Sequence, residues 1–151
     1  IDLPPGTGDL AISLGQLIPN SEMLVVTTPQ IAAAEVAERT GRIAYQMKQP
    51  VIGVIENMSD FPCPKCGEPI SLFGEGGGEE TANRLTKLIG EEVPLLGKIP
   101  FDPKLREGGD DSKPIVVSNS ESNAAKAISR VADKITARKK SLLGVRLGLS
   151  T

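Results

Sequence analysis

The sequence predicts an α/β fold in which a parallel sheet lies between two layers of helices. Short β-branched apolar runs alternate along the chain with longer segments of helical periodicity, which is the order expected of strand–helix units. The strand-like runs are apolar on both faces, as in a sheet covered on both sides. A length of 151 residues suits one domain with its own core. We expect that domain to span residues 1–140, with a tail at 141–151.

The first strand is expected at residues 22–28 and leads directly into a helix. Thr28 is the expected N-cap and Pro29 the expected first helical residue. The residues with helical spacing that should form the buried face are Ala33, Val36, Ala37, Thr40, Ile43, Ala44 and Met47. A second strand follows at residues 51–56.

The second half of the chain repeats this order. A helix should open at residues 78–80 and end at Gly90, and a third strand should cover residues 94–99. We expect a loop at 106–110 and either a short edge strand or an extended connector at 114–117. A capping box from Ser118 to Glu121 should begin the last helix. The tail alternates apolar residues with Gly and Arg, which fits an added edge strand or a frayed terminus.

Composition excludes several kinds of site. With two Cys and no His, the chain alone can build neither a four-ligand Cys/His metal site nor a Ser-His-Asp or Cys-His catalytic group. The net charge of −2 and the scarcity of basic clusters argue against nucleic acid and anionic membranes as partners. No signal segment or long apolar run is visible, so we expect a cytoplasmic protein. The absence of an initiating Met suggests a piece of a longer protein.

The first nine residues carry a candidate phosphate-sensing segment. Asp2 is expected at the end of a strand, followed by two prolines and by Gly6, whose backbone N–H is unobstructed. At the carboxyl edge of a parallel sheet, Asp2 would hold a Mg²⁺ water and Gly6 would meet a terminal phosphate. A Pro-Gly turn with a capping Asp explains the same residues. Because no G-x-x-x-x-G-K-[ST] motif occurs, we do not expect these residues alone to hydrolyse a nucleotide.

Cys63-Pro64-Lys65-Cys66-Gly67 is the sharpest local motif. A C-P-x-C-G turn brings two thiolates to one side, where both can face one metal or cluster. Since four ligands are needed and the chain has no others, a twofold mate is the most economical source of the second pair. Spacing alone favours zinc over an iron–sulfur cluster. A thioredoxin-like redox pair and unliganded surface thiols are the remaining alternatives.

Two further features allow a functional and a structural interpretation. Three consecutive glycines at 76–78 indicate either a close backbone approach or hinge, or a flexible acidic loop before a helix. Asn57, just after the second strand, has the amide donor and acceptor that a purine edge requires. An Asx-turn is the alternative for Asn57.

Taken together, these residues resemble the Mrp/ApbC family of iron–sulfur cluster carrier proteins. That family belongs with MinD and the nitrogenase iron protein among the deviant P-loop ATPases. The matching stretches occur in the family's order and spacing from residue 1 to about residue 135; they are residues 1–9, 25–30, 53–59, 63–67, 73–78 and 95–103. The resemblance implies the C-terminal half of a P-loop NTPase-like fold, with the phosphate loop in an N-terminal half that these residues do not include.

The resemblance also implies roles for individual residues. Asp2 and Gly6 match the switch that senses Mg²⁺ and the γ-phosphate of ATP. Asn57 matches the adenine-facing residue, and the segment containing Pro100 and Asp102 lies near the base. Cys63 and Cys66 match the pair that joins its twofold mate to hold a bridging 4Fe-4S cluster, which reverses the preference for zinc.

The expected function is therefore an ATP-dependent carrier that assembles a cluster at a homodimer interface and transfers it to apo iron–sulfur proteins. ATP hydrolysis is expected of the longer parent and not of these residues alone. A zinc-bridged dimerisation module without enzymatic activity and a MinD-like partitioning ATPase are the alternatives.

Overall fold

A computed structural model of the chain describes residues 1–3 and 9–138. Side chains are described from residue 12 onward in the second of these ranges. Its elements, in chain order, are α1 (Asp9–Leu17), β1 (Met23–Thr27), α2 (Ile31–Gln46), β2 (Val51–Asn57), β3 (Phe61–Pro62), β4 (Pro69–Ile70), α3 (Gly77–Ile89), β5 (Leu95–Ile99), α4 (Pro103–Asp110), α5 (Ile115–Ser118) and α6 (Asn123–Ala137). Among the described residues, none of the helices has the length and apolar composition of a membrane span.

Three strands form the central parallel sheet in the order β1-β2-β5. Helices α2 and α3 cover one face, where Val25, Val54 and Leu85 form the centre of a buried cluster. Helix α6 covers the other face and packs Val131 against Ile55 and Leu96. This is the expected three-layer arrangement, and the strands predicted at 22–28, 51–56 and 94–99 are confirmed.

Helices α2 and α3 approach closely because α2 presents small residues to α3. The buried residues of α2 are Ala34, Ala37, Gly41 and Ala44, and a Cβ on Gly41 would overlap the Cδ2 atom of the fully buried Leu85. The expected buried face was partly wrong, because Val36 is 54% exposed. A stripe of small residues lets the backbones pack around Leu85, whose burial contributes about 1.5–3 kcal/mol.

For α2 and α6, the predicted capping residue was wrong. Helix α2 begins at Ile31 after Gln30, and the Thr28 hydroxyl donates instead to the Gln30 side chain, at 3.1 Å. Helix α6 is capped by Ser122, whose hydroxyl accepts the Ala125 N–H at 3.1 Å. Ser118 is not available as a cap because it ends α5 and its hydroxyl donates to the Pro114 carbonyl.

Three other expectations about local structure were wrong. The loop expected at 106–110 lies within α4, and the strand or connector expected at 114–117 lies in the helical turn α5. Helix α1 was not predicted. Residues 1–3 belong to no strand of the described part of the chain, so the strand expected to end at Asp2 is not observed there. The tail at 141–151 lies outside the described residues.

Candidate functional site

The two cysteines lie in a hairpin that leaves the carboxyl edge of the sheet after β2. Strands β3 and β4 pair antiparallel, with Phe61 opposite Ile70. The turn between them is closed by the Cys63 N–H, which donates to the Glu68 carbonyl at 2.8 Å, and by the Gly67 N–H, which donates to the Cys63 carbonyl at 2.8 Å. Gly67 has a φ of +76°, which favours glycine. The C-P-x-C-G motif therefore forms the compact turn that its sequence predicts. We call residues 61–70 the cysteine hairpin.

Both thiols are free, and the environment of Cys63 favours its thiolate form. Cys63 is half-buried and Cys66 is exposed. The pKa of Cys63 is lowered by the backbone N–H groups of Cys66 and Lys65, and then by the Cys66 side chain. Thiolates are the form in which cysteine binds metals and acts as a nucleophile. Within the described ranges, no group of three or more Cys, Asp and Glu side chains is arranged to hold a metal. The hairpin therefore offers two soft ligands, which is half of a four-ligand site.

Backbone hydrogen bonds attach the root of the hairpin to β5. The Ser59 N–H donates to the Ile99 carbonyl at 3.0 Å, and the Phe101 N–H donates to the Asp60 carbonyl at 2.7 Å. The Phe101 ring packs edge-on against Phe61, with centroids 5.8 Å apart. These contacts fix the base of the hairpin to the end of the sheet.

A polar row crosses the sheet just below this root, and sequence reasoning missed it. Thr27, Glu56 and Lys98 are register partners on β1, β2 and β5. Glu56 is 1% exposed, and its Oε2 atom accepts the Gly78 N–H at 2.7 Å. Lys98 Nζ lies 2.7 Å from Glu79 Oε1 and 3.6 Å from Glu56 Oε1. The available signal was a lone carboxylate inside the apolar run of β2.

The ion pair between Lys98 of this row and Glu79 of α3 shifts the pKa of both groups. The pKa of Lys98 is raised, first by its hydrogen bond to Glu79 and also by the charges of Glu56 and Glu79. The pKa of Glu79 is lowered, first by its hydrogen bond to Lys98. Both shifts favour the ionised pair at neutral pH.

The glycine run before α3 is ordered and closely packed, which decides between the two interpretations of its sequence. Gly76 has a φ of +85° at the N-cap of α3. Gly77 is buried against the turn after β1, where its N–H donates to the Pro29 carbonyl at 3.0 Å. A Cβ on Gly77 would lie 2.6 Å from that carbonyl oxygen, and one on Gly78 would lie 2.8 Å from Glu56 Oε2. The run therefore seats the first turn of α3 directly on the ends of β1 and β2.

The residues predicted to lie near the adenine base, Asn57, Pro100 and Asp102, are at the same edge of the sheet as the root of the cysteine hairpin. Asn57 is the register partner of Ile99, which places it beside Pro100. The Asn57 Oδ1 atom accepts the Met58 N–H at 2.9 Å, and Asp102 caps α4 by accepting the Lys104 N–H at 2.9 Å.

The predicted phosphate-sensing residues are not joined to this group by any described contact. Asp2 is exposed. Gly6 lies outside the described residues.

Comparisons with known proteins agree with this architecture. A family model of ParA proteins, described as NUBPL iron-transfer P-loop NTPases, matches residues 1–136. An iron–sulfur cluster carrier protein of Mycobacterium leprae is 56% identical over 99% of this chain and 39% of its own length. The chain thus spans well under half of that relative.

Solved structures show the same fold. The cell division ATPase MinD of Pyrococcus furiosus matches 90% of this chain and 50% of its own, with a TM-score of 0.64 and 28% identity. A nucleotide-binding protein of Archaeoglobus fulgidus in complex with ADP matches 82% of this chain and 47% of its own, with a TM-score of 0.62 and 37% identity.

Proposed function

The chain belongs to the ParA family of NUBPL iron-transfer P-loop NTPases, as the resemblance predicted, and we propose that it carries an iron–sulfur cluster on Cys63 and Cys66. The observation that carries the proposal is the exposed two-thiol turn in which backbone N–H groups lower the pKa of Cys63. The relatives' name, iron–sulfur cluster carrier protein, supports the same cargo.

A homodimer completes the site. Each chain contributes two thiolates, so two hairpins related by a twofold axis supply the four ligands of a bridging 4Fe-4S cluster. The exposure of Cys66 leaves the cluster accessible to incoming thiolates, which suits a cargo that is passed on. The recipients are apo iron–sulfur proteins. The carrier acts in the cytoplasm, where thiols stay reduced.

ATP binding and hydrolysis belong to a longer protein that contains a phosphate loop. In that protein Asp2 and Gly6 sense Mg²⁺ and the terminal phosphate, while Asn57, Pro100 and Asp102 line the site of the base. Asn57 and the hairpin root both contact Ile99. Asn57 is the register partner of Ile99, and the Ser59 N–H at the root donates to the Ile99 carbonyl. Nucleotide binding at Asn57 therefore alters the geometry of the hairpin. The present chain alone is inactive as an ATPase.

Anaerobic reconstitution tests the cargo. The chain is incubated with ferrous iron, sulfide and a thiol reductant, desalted, and assayed for iron, sulfide, visible absorption and mass in solution. We expect four irons and four sulfides per dimer. Cys63→Ser and Cys66→Ser should each abolish loading, whereas Ser71→Ala, just beyond the hairpin, should not. Stoichiometric zinc that iron cannot displace would instead identify a zinc-bridged dimerisation module.

Cluster transfer tests the role of ATP. The longer protein, loaded with cluster, is mixed with an apo-ferredoxin in the presence of ATP or a non-hydrolysable analogue. We expect different transfer rates in the two mixtures. Equal rates would disprove the coupling while leaving the cargo assignment intact.

A further inference from the structure

The segment that carries the cysteines is closed at its base by two contacts. Residues 58–76 leave the sheet after β2 ends at Asn57 and return at Gly77, the first residue of α3. The Glu56 carboxylate accepts the Gly78 N–H at 2.7 Å, so the residues on either side of the excursion are directly bonded. Because Glu56 is 1% exposed, water competes little for this bond.

Lys98, on the neighbouring strand β5, makes the second contact that closes the base of this segment. Its ammonium lies between Glu79 of α3, at 2.7 Å, and Glu56 of β2, at 3.6 Å. The next residue, Ile99, accepts the Ser59 N–H at the root of the excursion. Lys98 therefore ties together the strand that precedes the excursion, the helix that follows it and the strand to which its root is bonded. We call Glu56, Lys98 and Glu79 the basal clasp.

The basal clasp also faces the cysteine hairpin across a small polar cavity. The cavity has a volume of about 240 Å³, and Glu56 and Lys98 form part of its wall. Asp60, which directly precedes the hairpin, and Pro69, within it, also line the cavity. No described contact joins the basal clasp to the thiols themselves, so it acts on the placement of the hairpin and not on the chemistry of its sulfur atoms.

We propose that Glu56, Lys98 and Glu79 are positioning residues that hold the cysteine hairpin at the angle a bridging site between two copies requires. The inference rests on the proposed function, because it concerns how the two thiol pairs meet. A bridging site needs two hairpins at a fixed separation, whereas the spacing of Cys63 and Cys66 is set within the turn. Loosening the basal clasp therefore weakens the bridged cluster and leaves the local thiol chemistry unchanged.

The test variants are Lys98→Met, which removes the charge, and Lys98→Arg, which retains it. Glu79→Gln is a second way to break the same ion pair. Lys98 and Glu79 are 43% and 48% exposed, so neither substitution opens a cavity in the core. Lys126→Met is the matched control, because Lys126 of α6 is 48% exposed and pairs at 3.0 Å with Glu121, which precedes that helix.

Three measurements separate placement from thiol chemistry and from general stability. Hydrogen exchange at residues 57–77 reports on the hairpin, cluster loss to an iron chelator reports on the bridged site, and the pH profile of Cys63 alkylation reports on the turn. In Lys98→Met and Glu79→Gln we expect exchange and cluster loss to accelerate up to about fivefold, the upper range for such a pair. Exchange in α6 should accelerate less than exchange in the hairpin segment, because α6 reports only the fall in global stability, and the alkylation profile should not change. Lys98→Arg should restore the wild-type values, and Lys126→Met should match them.

The two proposals fail in distinguishable ways. Wild-type exchange and wild-type cluster loss in Lys98→Met would overturn the positioning role. A shift in the pH profile of Cys63 alkylation large enough to account for the faster cluster loss would also overturn it, since the basal clasp would then act on the thiols. If the wild-type chain itself loads no cluster, the proposed function fails, and hydrogen exchange still decides whether the basal clasp holds the hairpin.

Discussion

Replacing Gly78 with alanine should destabilise the chain strongly, because there is no room for a Cβ atom at this position. That atom would lie 2.8 Å from Glu56 Oε2 and 3.1 Å from Leu95 Cδ1. The carboxylate would have to move away from the Gly78 N–H that it now accepts at 2.7 Å. Losing a charge-assisted hydrogen bond costs about 1.5–3 kcal/mol, and overpacking a buried site costs about 1–3 kcal/mol. Alanine recovers about 1 kcal/mol of helix propensity, which leaves a net loss of roughly 1.5–5 kcal/mol.

Urea unfolding followed by circular dichroism measures this loss, and a thermal scan should show a fall of about 3–20 °C in Tm. Gly109→Ala is the matched control, because Gly109 also lies in a helix and a Cβ there meets nothing within 4 Å. That substitution should be neutral or stabilise the chain by up to about 1 kcal/mol. If the two variants have the same free energy of unfolding, α3 is not seated on Glu56 as described.

Three other expectations follow from the same contacts. In the reduced, metal-free chain, Cys63 alkylation should reach half its maximal rate below the pH typical of a free cysteine. The Cys66→Ser variant should largely keep this shift, because backbone N–H groups are the main cause of the lowered pKa of Cys63. Alkylation of Cys63 with the pH profile of an ordinary thiol would contradict this prediction. Lys98→Met should lower the free energy of unfolding at neutral pH by up to about 1 kcal/mol. This difference should fade as the pH falls through the lowered pKa of Glu79 or rises through the raised pKa of Lys98, and a penalty independent of pH would refute the ion pair. Leu85→Ala should cost about 2–5 kcal/mol in urea unfolding because the side chain is fully buried, and a loss below about 1 kcal/mol would show that the core collapses around it.

The strands of the central sheet were predictable from the sequence because burial on both faces leaves a plain signal. The β2 run is apolar from Val51 to Ile55, and no helix-length periodicity competes with it. The end of α3 was also predictable, because Gly90 has a φ of +81° and closes the helix as expected. These features depend on a few neighbouring residues, so a single sequence contains them.

The helix starts and the α4–α5 region were not predictable in the same way, because tertiary contacts decide them. Ser118 and Ser122 are both chemically able to cap a helix, and only the helical turn of α5 removes Ser118 from the choice. Gly108 and Gly109 suggested a loop, yet they lie in α4. The Lys113 N–H donates to the Gly108 carbonyl at 2.7 Å, and a Cβ on Gly108 would lie 2.5 Å from the Lys113 carbonyl. A close approach, and not a turn, explains that glycine.

The cysteine hairpin was predictable and the basal clasp was not, for a related reason. The C-P-x-C-G spacing is local, so the turn depends on a few neighbouring residues. The alignment of Glu56 with Lys98 requires the register of two strands that are far apart in sequence. Only the folded sheet supplies that register, although the charge inside β2 indicated that something must compensate it.

The presence of Glu56 is better explained by geometry than by stability. A buried ion pair is often no more stabilising than apolar residues of the same volume, so burying a carboxylate in β2 brings no obvious gain to the core. An apolar side chain would leave the Gly78 N–H without the partner it has now. The Glu56 carboxylate orients α3 and β5 relative to β2, since it accepts one N–H from α3 and faces one ammonium from β5. A residue that specifies the relative placement of three elements, at the point where the cysteine segment leaves and rejoins the fold, suits the two-chain site that we propose.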